Sequence, residues 1–144
     1  MKTTYLPWLD IAPPTLVEHF EFWRHCNNGQ LRFQRCADCG TWQHPPSPTC
    51  ANCRSFQLRW EQVPVQKPYL FSYTVVYHAA IPVLKDHVPY NVAIVAFEGM
   101  GDLRLVSNVV DAHPPEMRIG MPLELVWQLD GERKLPLFRK RAAS

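Results

Sequence analysis

The chain has 144 residues, which is enough for one domain of ordinary size or two small ones, and its 47% hydrophobic residues can build a real core. The formal net charge is only +2, so a charged surface must come from uneven distribution along the chain. No apolar run is long enough to cross a bilayer, and the first residues lack the order of a secretory signal. We therefore expect a soluble cytoplasmic protein that does not contact a membrane.

Residues 1–29 are predicted to form an apolar tail followed by one amphipathic helix. The apolar positions that recur at helical spacing are Leu16, Phe20 and Trp23. A proline pair and Thr15 precede this helix, and the Asn-Asn-Gly sequence at residues 27–29 ends it. The helix either packs on its own domain or docks on a partner, and the sequence leaves both open. Cys26, near its end, is expected to be a packed or idle thiol.

Residues 30–58 contain two CxxC pairs, formed by Cys36, Cys39, Cys50 and Cys53. A lasting disulfide is not expected in a reducing compartment, so a metal site or a redox site is favoured. Two CxxC turns can direct four thiolates at one ion, with Zn–S distances of ~2.3 Å. Four sulfurs leave no open position, so we predict a structural Zn²⁺ whose binding energy folds this zinc ribbon. Iron, a thioredoxin-type dithiol and reduced thiols without metal are the alternatives.

His44 lies between the two CxxC pairs, in the sequence HPPSP. It could replace a cysteine as a metal ligand, but four sulfurs need no fifth donor. We therefore expect an exposed loop histidine, and we expect the prolines to supply a stiff, extended return between the two turns.

From residue 59 to residue 144 the apolar period changes to two, which predicts strands. The first strand, 69–77, places five residues on one face: Tyr69, Phe71, Tyr73, Val75 and Tyr77. Further strands are predicted at 90–98, 103–110, 123–129 and 135–139, with turns and no helix between them. Five such strands predict a small barrel of the OB type, closed or partly open. We expect the aromatic face to pack in the barrel core rather than to stack nucleic-acid bases.

The charge of this barrel argues against nucleic acid as a partner. Residues 61–132 contain nine acidic and four basic side chains, whereas a phosphate-binding surface needs the opposite balance. Basic residues gather instead at the ribbon and at the C-terminal end. On the ribbon, Arg35 and Arg54 are candidates for binding a small phosphorylated ligand such as coenzyme A, or an acidic partner.

Catalytic residues are not expected, because the chain has no Ser/His/Asp set, HExxH sequence, phosphate loop or dinucleotide fingerprint. His78, His87 and His113 are isolated in the sequence. His78 ends the aromatic strand just before the loop AAIPVLKDHVP, near a barrel mouth, where a ligand or partner could insert. An ordinary crossover loop is the alternative.

The ordered segments FWRHCNNGQLRFQRCADCG, CANC, FSYTVVYH, VPYNVAIVAFE, LVSNVVD, RIGMPLELVW and LPLFRK resemble the DUF35 family, across residues 20–139. The resemblance implies a mainly β chain with an N-terminal helix, a rubredoxin-like zinc ribbon and a five-stranded OB-type barrel. One departure is the segment TWQHPPSP, where the family pattern leads us to expect an aromatic residue before the prolines and an arginine after them. His44 and Ser47 stand there instead, which weakens any inference about what that loop contacts.

The resemblance also implies a function. Such proteins are small subunits bound to thiolase-superfamily enzymes, including thiolases, synthases, acyltransferases and the thiolase-like aldolases of sterol and bile-acid side-chain degradation. We therefore expect a noncatalytic subunit in a hetero-oligomer that helps to form or stabilise the acyl-CoA site of a thiolase-like partner. A stand-alone module that binds nucleic acid or a small ligand is the alternative, and an enzyme acting alone is a third hypothesis.

Overall fold

The computed structural model describes residues 5–6, 17–63, 67–130 and 133–142. Over these ranges, one helix, α1 (Val17–Asn27), precedes nine strands and two short 3-10 turns, Pro82–Leu84 and Pro114–Glu116. The helix ends as predicted: Gly29 has φ 73°, and its N–H donates to the Cys26 carbonyl at 2.8 Å. The predicted Thr15 cap and Leu16 lie outside the described residues. Within these residues, no helix has the length and apolar character needed to cross a membrane.

The inward face of α1 is not the predicted one. Phe22 and Cys26, one turn apart, are buried, whereas Phe20 and Trp23 are 49% and 38% exposed. Cys26 is completely buried, as expected for a packed thiol, and this burial raises its pKa to about 12. The helix thus packs on its own domain through one face and keeps two aromatic side chains at the surface.

The ribbon contains a three-stranded antiparallel sheet, formed by β1 (Arg32–Cys36), β2 (Trp42–Gln43) and β3 (Leu58–Gln62) in the order β2-β1-β3. The central strand β1 carries Cys36 at its end, opposite Leu58 of β3. β3 therefore extends the ribbon sheet to Gln62.

Six strands form the barrel region: β4 (Pro68–Val76), β5 (Tyr90–Phe97), β6 (Arg104–Ser107), β7 (Val109–Val110), β8 (Leu123–Asp130) and β9 (Arg133–Lys140). They make two sheets, β4-β5-β6 and β7-β9-β8. The predicted strand 103–110 is divided at Asn108, where the chain passes from the first sheet to the second. The sheets are joined at Leu70, whose N–H donates to Met121 O at 3.0 Å and whose carbonyl accepts from Gly120 N at 2.7 Å.

A β-bulge in β4 changes the predicted facing of its side chains. The pairing with β5 shifts between Leu70 and Ser72, so Phe71 is an extra residue on β4. As a result Leu70 is completely buried and Phe71 is 46% exposed. Tyr77, which is 70% exposed, lies beyond the end of β4. The prediction that the aromatic row packs in the barrel core is therefore wrong for Phe71 and Tyr77. The ring of Phe71 is instead covered by the Arg104 guanidinium, 4.1 Å from its centroid.

One hydrophobic core is shared by the helix, the ribbon and the barrel. A row of rings runs through it, with centroids 5.9 Å apart for Phe22 and Phe33, 5.6 Å for Phe33 and Phe97, and 6.2 Å for Phe97 and Phe138. Phe33 belongs to β1 and is completely buried. The ribbon therefore packs against the barrel through the same strand that carries Cys36.

Candidate metal centre

The four cysteine sulfurs converge on one point. The Sγ atoms of Cys36, Cys39, Cys50 and Cys53 all lie within 4.8 Å of one another. Cys36 and Cys53 are 3.6 Å apart, and so are Cys39 and Cys50. A tetrahedron with Zn–S bonds of about 2.3 Å has sulfurs about 3.8 Å apart. The cluster therefore fits a single tetrahedral metal ion with four sulfur ligands.

Backbone amides of the two CxxC turns point at these sulfurs. Cys36 Sγ accepts from Cys39 N–H at 3.5 Å, and Cys50 Sγ accepts from the N–H groups of Asn52 and Cys53 at 3.3 and 3.4 Å. Such bonds stabilise thiolates and fix the direction of each sulfur. Because all four positions are taken by protein ligands, a metal held here has no site for water or substrate.

The thiols of the cluster differ in acidity. The hydrogen bond from Cys39 N–H is the main cause that lowers the pKa of Cys36. The pKa of Cys39 falls to about 6, chiefly because the Thr41 hydroxyl lies 3.1 Å from its sulfur. The Ser55 N–H acts to lower the pKa of Cys53, but desolvation and the neighbouring thiols outweigh it and raise that pKa to about 12. Since metal ions bind thiolates, loading the cluster must displace a proton from Cys53.

Two buried glutamines support the turns that carry the cysteines. Gln43 donates to Gln34 Oε1 at 2.8 Å and accepts from Ala51 N–H at 2.8 Å, beside Cys50. Gln34 donates to Ser47 O at 3.0 Å and accepts from Ser47 N–H at 2.9 Å, which holds the proline-rich loop. This pair is not predictable from the sequence, because nothing in the alternation of a strand marks a buried glutamine as a hydrogen-bonding group.

His44 is not the exposed loop histidine that the sequence predicts. Its ring lies 4.8 Å from the Phe22 ring and 5.1 Å from the Phe33 ring, and burial lowers its pKa to about 4. The Gln34 bonds to Ser47 draw the loop inward, so His44 packs against the shared core. It is not part of the group of converging metal ligands.

The other predicted site residues are not gathered in one place. Arg35 supports the ribbon itself: its guanidinium lies 5.0 Å from the Trp42 ring centroid, donates to Gly40 O at 3.1 Å and contacts Glu61 at 3.4 Å. Arg54 is exposed with φ 65°, and His78 is exposed after β4. In the part of the chain that the structure describes, no hydrogen bond or ion pair joins these three residues.

Comparison with known proteins shows two family matches that divide the chain. Residues 23–59 match the family described as "ChsH2, rubredoxin-like zinc ribbon domain", and residues 60–128 match "ChsH2, C-terminal OB-fold domain". Two archaeal proteins, each described as "DUF35 domain-containing scaffold protein", are also similar to this chain. The protein of Methanocaldococcus jannaschii is 32% identical to the chain, and that of Methanothermobacter thermautotrophicus is 31% identical. The matches cover 74% and 78% of this chain, and 74% and 84% of those proteins. The chain belongs to the DUF35 family.

Solved structures agree with this assignment. The DUF35 chain superposes on a chain of the "Ltp2-ChsH2(DUF35) aldolase" with a TM-score of 0.78 and 34% identity, covering 90% of this chain and 98% of that one. A DUF35 protein from Sulfolobus solfataricus, at 14% identity and a TM-score of 0.60, shares the fold. The predicted fold class, with one helix, a zinc ribbon and OB-fold sheets, is thereby confirmed.

A longer relative places the same unit in a larger protein. A "Probable enoyl-CoA hydratase alpha subunit" of Thermomonospora curvata is 38% identical over 130 residues, which is 88% of the DUF35 chain. The match covers only 39% of that relative's length. The DUF35 chain thus spans about two fifths of this curated protein.

Proposed function

We propose that this DUF35 chain is a noncatalytic accessory subunit of an acyl-CoA-processing enzyme, in a hetero-oligomer with a thiolase-superfamily partner. The observation that carries the proposal is the match to 98% of a chain in a structure described as an aldolase with a DUF35 component. The archaeal relatives are described as scaffolds, and the longer relative as an alpha subunit. These descriptions favour a chain that acts together with an enzyme rather than alone.

The chemistry of the metal centre supports an accessory role. We propose that Cys36, Cys39, Cys50 and Cys53 hold Zn²⁺. The distance of 3.6 Å between the two sulfurs of each pair fits a tetrahedral zinc ion. A zinc ion with four sulfur ligands would hold the two turns together and contribute folding free energy to the ribbon. It would offer no position for an activated water, which is the part that catalytic zinc sites require.

An exposed apolar loop supplies a candidate docking surface. Between β4 and β5, the side chains of Tyr77, Ile81 and Val83 are 70%, 40% and 49% exposed, and His78 lies among them. Neighbouring exposed apolar residues are typical of surfaces that another protein covers. We assign the enzyme contact to this surface, the 77–83 loop.

Acyl-CoA, on this proposal, binds at a site that both subunits form. Arg54 and Arg59 are exposed on the ribbon, and no ion pair to a carboxylate is found for either among the described residues. They are therefore available to the phosphates of the ligand, whereas Arg35 is engaged within the ribbon. Arg54→Gln should raise the KM for acyl-CoA of the assembled enzyme while leaving its kcat unchanged.

Co-expression with the thiolase-superfamily protein from the same host tests the partnership. Size-exclusion chromatography with light scattering should show a stable hetero-oligomer for the natural chain. Replacing Tyr77, Ile81 and Val83 together with serine should weaken assembly by at least tenfold. Ile119→Ser is the matched control, because Ile119 is 64% exposed outside this loop. Failure of the natural chain to assemble would contradict the proposed function, and equal assembly of the variants would contradict only the assignment of the surface.

A further inference from the structure

A groove lies where the helix, the ribbon and the barrel meet. Its volume is about 430 Å³. Its walls come from α1, β6, β9 and the loop that follows β2. Most of the lining is apolar and includes Trp23, Val106, Leu135 and Leu137. Pockets for small molecules have volumes of roughly 300–1,000 Å³, apolar walls and a few polar groups that fix the orientation of the ligand. The groove has the first two of these properties.

Three of its polar side chains are already engaged within the protein. The Ser107 hydroxyl donates to Pro136 O at 2.8 Å, and Asn108 donates through Nδ2 to Asn91 O. The Arg104 guanidinium lies over the Phe71 ring and donates to Gly101 O at 3.2 Å. The hydroxyl hydrogen of Ser107 and one N–H of Asn108 are therefore used within the protein, whereas Arg104 places a positive charge at the groove wall.

His44 is different, because neither of its ring nitrogens has a hydrogen-bond partner among the described residues. The ring is held from two sides by Phe22 and Phe33, so its position in the groove wall is fixed. Burial keeps the pKa of this imidazole at about 4, and the ring is neutral at pH 7. A neutral imidazole offers one donor and one acceptor. That combination matches a hydroxyl group, which also donates and accepts.

We propose that this groove binds a mostly apolar small molecule whose hydroxyl group hydrogen-bonds to His44. A ligand without the hydroxyl would bind through apolar contact alone and leave the His44 nitrogens unpaired. The site lies within one chain and needs no partner subunit, so it is independent of the proposed complex.

Two probes of similar size test the site in the purified full chain: 2-naphthol and naphthalene. In ¹H–¹⁵N NMR titrations, 2-naphthol should shift the amide signals of Trp23, His44 and Val106. It should bind about tenfold more tightly than naphthalene, which corresponds to one neutral hydrogen bond. Equal affinities for the two probes, shifts elsewhere in the protein, or no binding would overturn the proposal.

The variant His44→Phe keeps an aromatic ring between Phe22 and Phe33 but removes the nitrogens. It should lose the tenfold preference for 2-naphthol while binding naphthalene as the natural chain does. His113→Phe, a change at an exposed histidine outside the groove, should leave both affinities unchanged. If His44→Phe does not fold, the side-chain ¹⁵N signals of His44 in the natural chain decide the question. They should move on addition of 2-naphthol and not of naphthalene, and the absence of such movement would contradict the site.

Discussion

The side-chain amide of Asn91 pairs with both backbone polar groups of Val109. Its Nδ2 donates to the Val109 carbonyl at 2.8 Å, and its Oδ1 accepts from the Val109 N–H at 2.8 Å. Asn91 thus connects β5 to β7 as a peptide group would in a β-ladder, at the junction between the two barrel sheets. On its other side, the Tyr5 hydroxyl accepts from Asn91 N–H at 2.9 Å and from Nδ2 at 2.7 Å.

Asn91→Ala should therefore destabilise the protein by about 3 kcal/mol, because two buried backbone groups of Val109 lose their partners. Urea unfolding followed by circular dichroism measures this change. Asn28→Ala, at an exposed asparagine after α1, is the control and should change the free energy of unfolding by less than about 0.5 kcal/mol. A loss below about 1 kcal/mol for Asn91→Ala would show that water or relaxation satisfies Val109.

Removing the metal should unfold residues 30–57. Cys36→Ser takes away one of four ligands, so zinc content measured by elemental analysis should fall from one ion per chain to near zero. NMR signals of the ribbon should lose their dispersion. Cys26→Ser changes a buried thiol outside the cluster and should keep a full complement of zinc. A Cys36→Ser protein with unchanged zinc content and Tm would contradict the metal assignment.

The burial of His44 should make stability depend on pH. Its pKa is about 4 in the folded protein and 6.5 without burial, so the unfolded chain binds more protons between these values. The contribution of His44 to the free energy of unfolding is therefore fully present above pH 6.5. It is lost as pH falls, by about 2 kcal/mol between pH 7 and pH 5. His44→Phe should lack this part of the pH dependence. Because zinc release in acid affects both proteins, the difference between their two profiles is the measurement, and identical profiles would count against a buried neutral His44.

Phe33→Ala should cost about 3–5 kcal/mol, as expected for a large ring removed from a packed core. Phe33 is completely buried and contacts rings of the helix and of the barrel. Phe56→Ala is the matched control in the same ribbon, because Phe56 is 78% exposed and its loss should be almost neutral. Thermal unfolding of both variants gives the comparison, and similar Tm values for the two would contradict a core shared through Phe33.

The convergence of the four cysteines and the order of elements could be predicted from the sequence because their patterns are local. CxxC spacing determines where two thiols meet, and an apolar period of two marks strands such as Tyr90–Phe97. The end of α1 was also predictable, since Gly29 can adopt the positive φ that the turn requires.

The remaining features depend on contacts between distant parts of the chain. One extra residue at Phe71 reverses the facing of part of β4, and a period of two contains no mark of a bulge. The position of His44 depends on Gln34, ten residues earlier, and that of Asn91 on Val109, eighteen residues later. Polar side chains of this kind show their role only once the partner strand is in place.

The position of Phe33 and Cys36 on the same short strand limits how this protein can be divided or recombined. A truncated barrel beginning at residue 60 would present Phe97 and its neighbours to solvent, and we expect it to aggregate. A chimaera that exchanges only the ribbon between two homologues would need matching side chains on the barrel half to remain soluble. The segment that carries the four cysteines thus shares its hydrophobic core with the barrel, although it is short enough to be mistaken for a transferable module.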